Sequence, residues 1–126
     1  MEFYADVPVT ASAEAIQARV VIPALPRLCA SVDTVIEHAG ERGRIYCLWG
    51  EFTVERQLIR QGVRFALPGC PNALAWTITG EEGGVRVHCT INRPRHEPDF
   101  IESIEAFVAD WAAGLGAALA PDGAVA

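Results

Sequence analysis

The chain has 126 residues, 51% of them hydrophobic, with 16 acidic and ten basic side chains and a net charge of −6. That is enough for one domain with a real core, and it is not the composition of a disordered segment. The acidic balance excludes non-specific binding to phosphate backbones, and no apolar run approaches the ~20 residues that cross a bilayer.

Within that envelope, MEFYADVPV lacks the basic, apolar and small-residue regions of a secretory leader. The four cysteines, at 29, 47, 70 and 89, contain no C-x-x-C pair. They read as reduced thiols of a soluble cytoplasmic protein. All ten basic charges are arginines. Residues 42–95 carry a surplus of them, whereas both flanks are acidic. No cofactor or metal is expected: there is no phosphate-cradling glycine loop, dinucleotide fingerprint, H-E-x-x-H or G-x-S-x-G elbow.

EFYADVPV alternates as a strand over 2–9, through Phe3, Ala5, Val7 and Val9. ASAEAIQARVVI, 11–22, has helix formers first and β-branched residues last, and fits either state. LPRLCASVDTVIEHAG predicts a helix: Pro26 suits a first turn, Leu28, Val32, Ile36 and Ala39 form a stripe, and Gly40 stops it. His38 would lie near its C-terminal end, where positive charge complements the dipole.

RGRIYCLWGEFTVERQLI is one long strand or a hairpin. Its inward parity shifts from Ile45, Cys47 and Trp49 to Phe52 and Val54 across Gly50, as at a bulge. VRFAL turns Val63, Phe65 and Leu67 inward. PGCPN reverses the chain into NALAWTIT, with Leu74, Trp76 and Ile78 on one face. After EEGG, GVRVHCTIN alternates Val85, Val87, Cys89 and Ile91 against Arg86, His88, Thr90 and Asn92. PDFIESIEAFVADWAAGLGAALA places Phe100, Ile101, Ile104, Phe107, Val108, Trp111 and Leu115 on one helical stripe. Asp99 and Glu102 read as its starting pair, and Gly114 and Gly116 as weak final turns.

The elements predict an α+β fold, an antiparallel four- to six-stranded sheet packed on a long C-terminal helix. It forms a single domain over 1–120, with 121–126 a disordered tail. With helices between 11 and 38, the order resembles the helix-grip fold of lipid-transfer and polyketide-cyclase domains, in which a curved sheet wraps the last helix around a cavity. With 14–22 as a strand, it is similar to the TATA-binding-protein fold. Both resemblances concern element order, which carries no function by itself.

Strand parity sorts the candidate functional residues onto two faces. Trp49, Phe52, Phe65 and Trp76 face Phe107 and Trp111, and gaps between such rings can hold an apolar or aromatic ligand. On the other face Tyr46, Arg64, Arg86 and His88 join Arg44 and threonines 77, 79 and 90. Planar guanidiniums there could receive an anionic ligand, or the face could stack on a second copy as a homodimer. His88 and Tyr46 are the best acid–base candidates, although their parity points them away from the apolar layer, and whether any catalysis occurs stays open. His88 and Cys89 point to opposite sides of one strand, so they cannot share a metal. Cys70 sits in a loop without a basic neighbour to activate it. The ligand-binding reading is thus a pocket between sheet and closing helix. The competing reading is an interaction domain working through the arginine face.

Overall fold

The computed structural model describes residues 1–92 and 94–120, so the tail expected at 121–126 lies outside the described residues. A seven-stranded antiparallel sheet is closed on one side by helices. Strand β1 (Glu2–Val7) leads into helix α1 (Ala13–Arg19), a single 3-10 turn at Ile22–Ala24, and a short α2 (Leu25–Leu28). Then follow β2 (Val32–Ala39), β3 (Arg42–Cys47), β4 (Gly50–Ile59), β5 (Gly62–Ala66), β6 (Ala75–Glu81), β7 (Gly84–Thr90) and the long α3 (Pro98–Ala118). The spatial order β1-β7-β6-β5-β4-β3-β2 is a six-stranded meander, with β1 added beside its last strand.

Within residues 11–22 the helical alternative is the one formed, over Ala13–Arg19: Ser12 caps α1, its side chain accepting from the Ala15 amide. The strand at 14–22 that the TATA-binding-protein order requires is therefore absent, and the first of the two expected orders is realised.

The helix expected over 26–39 is not formed. Only Leu25–Leu28 is helical, and 32–39 is the edge strand β2, which takes the sheet to seven strands. The reason is visible in its register. Pairing with β3 shifts between Val32 and Thr34 and again between Val35 and Glu37. Two irregularities break the period of two, and what remains mimics helical spacing. His38 consequently sits on an exposed edge, its Nε2 2.8 Å from the Gly40 carbonyl oxygen, rather than at a helix terminus.

Between β3 and β4 the chain makes a tight hairpin. Cys47 pairs with Gly50 across Leu48 and Trp49, and Gly50 takes φ 111°, a conformation that glycine accepts without strain. Trp49 thus lies in the turn rather than on an inward strand position.

From β3 to β7 the expected alternation holds. Ile45, Cys47, Val54, Val63, Phe65, Trp76, Ile78, Val85, Val87 and Cys89 are buried, while Tyr46 is 51% exposed and Arg44, Arg64, Arg86 and His88 are partly exposed. At the helix, Glu97 occupies the cap position, Pro98 opens the first turn, and Asp99 places its charge at the positive end of the dipole. Ile104, Phe107, Val108, Trp111 and Leu115 form the buried stripe. Gly114 has a packing role: a Cβ there would lie 1.9 Å from the Leu28 carbonyl oxygen, so glycine lets α3 press against α2. Among the described residues no helix is long and apolar enough to cross a membrane.

Candidate functional site

The pairing of β4 to β7 and β1 aligns one row of side chains across five strands: Arg56, Phe65, Trp76, Cys89 and Phe3. All lie on the helix-covered face, with Phe65 and Trp76 against α3 and Arg56 against α1. Trp76 stacks on Phe65, with ring centroids 5.3 Å apart, and meets Phe107 edge-on at 4.9 Å. Trp111, one helical turn after Phe107, lies 6.0 Å from Phe65 and 6.1 Å from Trp76. Offset and edge-to-face arrangements of this kind are the favoured ones for aromatic quadrupoles. Phe65, Trp76, Phe107 and Trp111 are each at most 1% exposed, so the centre of the layer is shut.

Its margin is looser. Trp49, Phe52, Phe100, Cys70 and Phe3 pack on this core while staying partly exposed. Trp49 reaches from the β3–β4 turn to Phe107, at 5.0 Å, and to Phe100, at 6.1 Å, and its Nε1–H donates to Ser103 Oγ at 2.8 Å. The β5–β6 loop and the segment before α3 gather at the same end, joined where the Asn92 amide donates to the Asn72 carbonyl and Asn92 Nδ2 to that of Pro71. The expected apolar lining of Trp49, Phe65, Trp76 and Trp111 is therefore assembled in one place, with Trp49 at the rim.

Polar atoms in the layer are few. Among the described residues Arg56 is the one buried charged residue, 7% exposed. Sequence reasoning passed over it, although it continues the inward parity of Val54. It works at the far end of β4: Nε donates to the Val20 carbonyl at 2.8 Å, Nη2 to that of Gln17, and Nη1 to the Glu41 carboxylate. Two of those acceptors belong to the C-terminal end of α1, where carbonyls lack helical partners and a cation is favoured. The Nε1–H groups of Trp76 and Trp111 are buried without a hydrogen-bond partner. Cys29 and Cys89 lie in the same interior, and burial pushes both thiols up to about 12.

The opposite face of the sheet carries Tyr46, Arg64, Arg86 and His88, as parity predicted, but interleaved with carboxylates. Arg44 binds Glu51 at 2.7 Å and Glu37 at 3.2 Å, Arg42 binds Glu55, and Arg86 binds Asp6 at 2.9 Å. These pairs come from directly opposed or diagonal strand positions. Arg64 donates to Gln57 at 3.1 Å. His88 Nε2 lies 2.9 Å from Glu2 Oε1, and its ring stacks on Tyr4 at 4.4 Å with the planes 1° apart. The hydrogen bond to His88, then that to Tyr4, holds the Glu2 carboxyl below its ordinary range. Arg86 lies over the Tyr4 ring. His88 and Tyr46 thus stand on the far side of the sheet from the aromatic layer. Among the described residues, no group of three or more His, Cys, Asp or Glu could hold a metal ion.

A START superfamily protein from Mycobacterium smegmatis superposes with a TM-score of 0.63 over 94% of this chain and 95% of its own, at 13% sequence identity. The fold is helix-grip. At that identity the likeness shows the helix-grip architecture alone. No protein-family model and no curated protein matches the sequence.

Proposed function

We propose that this helix-grip domain binds a small apolar or aromatic molecule between its sheet and α3. The observation that carries the reading is the layer's asymmetric closure. Four aromatic rings are sealed at its centre, and the end where the loops gather is stoppered by Trp49, Phe52 and Phe100, which are still partly in solvent. A domain packed only for stability has no need of large rings at a half-wet margin, whereas ligand sites are lined this way. In lipid-transfer and polyketide-cyclase domains the helix-grip order wraps a curved sheet and the last helix around a cavity, which supports a site between the same two elements. Binding here displaces the Trp49–Phe100 edge and inserts the ligand against Phe107 and Trp76.

The outer face makes a weaker case for binding an anion or a partner, because Arg44 and Arg86 are already matched by carboxylates. Exposed ion pairs contribute little on their own, yet they leave less uncompensated charge to recruit an outside anion.

Tryptophan emission, titrated with a panel of aromatic and aliphatic probes, tests the proposal. The expected result is a saturable change for at least one probe class. Replacing Trp49 with Phe should remove most of the signal, while calorimetry still registers heat of binding. No saturable response and no heat across the panel overturns the reading.

A further inference from the structure

Two of the three indoles carry a donor that nothing answers. The Nε1–H of Trp76 and that of Trp111 are buried and unpartnered, in contrast to Trp49, whose N–H is taken by Ser103. An indole nitrogen can only donate. Leaving it buried and unpaired incurs the full desolvation penalty, which native interiors ordinarily avoid. Two such groups sit in one layer with ring centroids 6.1 Å apart.

The layer has little to offer them. Its buried side chains are hydrocarbon, aromatic or thiol except for Arg56, a donor whose bonds are spent on Val20, Gln17 and Glu41. Neither indole N–H reaches a backbone carbonyl of the sheet or of α3. Thiol sulfur is a weak acceptor.

Resting on the ligand-binding reading above, we infer that the ligand presents a neutral oxygen acceptor, a ketone, ester or quinone carbonyl, to the Trp76 and Trp111 N–H groups. A carbonyl oxygen has two lone pairs and brings no proton of its own. A hydrocarbon would leave both donors as they are. An alcohol would accept but add a hydroxyl proton with no acceptor to meet it. A carboxylate would be buried without a counter-charge, since the one cation of the interior is committed elsewhere.

Three probes on one skeleton separate these cases: 2-acetylnaphthalene, 2-ethylnaphthalene and 2-naphthoate, with affinities from calorimetry and the indole N–H resonances followed in 1H–15N spectra. The ketone should bind about tenfold or more tighter than the ethyl compound, as expected for satisfying buried donors. The Trp76 and Trp111 N–H signals should move downfield with the ketone, and that of Trp49 should move less. In W76F and W111F the ratio of ketone to ethyl affinity should fall toward one, whatever each ring exchange does to the affinity that both compounds share through the naphthalene skeleton. The spectra of the unsubstituted protein decide the matter even if a variant fails to fold. Equal affinity for ketone and hydrocarbon, or tightest binding of the naphthoate, overturns the carbonyl inference and leaves the binding function standing. Failure of all three probes to bind overturns the carbonyl inference, and the binding function falls with it when the aliphatic and aromatic panel is silent as well.

Discussion

Changing Gly114 to Ala tests how α3 is seated. An ideal Cβ at this position would lie 1.9 Å from the Leu28 carbonyl oxygen, 2.5 Å from its carbon and 3.0 Å from its Cα. Ordinary contact begins near 3.4 Å, so α3 would have to withdraw from α2 by about 1.5 Å. The obstacle is backbone, which cannot rotate away as a side chain would. Retreat would also loosen Trp111 and Leu115, which are fully buried beside it. Alanine favours a helix interior over glycine by about 1 kcal/mol, but forced overpacking costs roughly 1–3 kcal/mol or more, so the net expectation is a loss of about 2 kcal/mol. Gly116 supplies the control: its Cβ would meet only Val7 Cγ1, at 3.8 Å. There the propensity term acts alone, and G116A should gain up to about 1 kcal/mol. Urea unfolding followed by circular dichroism gives both values from midpoints at a common slope. If G114A is as stable as the parent, or both variants shift in the same direction, the close approach of α3 to Leu28 is wrong.

Two further outcomes follow from the interior. Arg56→Met should cost about 3 kcal/mol, because it strips a buried donor from two carbonyls at the end of α1, whereas Glu41→Ala should cost under about 1 kcal/mol at the exposed end of the same network. Equal losses in denaturant titrations would place the energy in the ion pair instead. Toward a disulfide reagent at pH 8, the half-buried Cys70 should react fast, and Cys29, Cys47 and Cys89 only as the protein unfolds. Cys29 and Cys89 keep their protons to about 12 when folded but release them near the ordinary 9.0 when unfolded. Their contribution to stability is thus intact below 9 and declines as pH climbs toward 12. Replacing both with Ala should flatten that decline; an unchanged slope would assign it to other groups.

Much of this architecture was legible in the residues. The alternation from Arg44 to Thr90 and the stripe from Ile104 to Leu115 are long and strongly periodic, so periodicity alone separated the two faces and brought Phe65, Trp76 and Trp111 together. Strand β2 was not legible, because two register shifts on an edge erase its period and Leu28, Val32, Ile36 and Ala39 then imitate a helical stripe. Arg56 was hidden by the habit of reading arginine as exposed, although Val54 two residues earlier gives its direction. Gly114 looked like a flaw in a helix because the object it accommodates, the Leu28 carbonyl, is distant in sequence. The two unanswered indole N–H groups could not be found by pattern at all, since partnership is a property of packed neighbours.

The kinked course of β2 has a consequence for colonies of this molecule. An open sheet exposes its two outermost strands as templates for another chain, and β2 is one of them here. Its double offset against β3 spoils the regular rail of amides and carbonyls that a docking strand would need, and Asp33, Glu37 and His38 line it with polar groups. The irregularity that disguised this segment as a helix also makes this edge a poor template for strand-to-strand association.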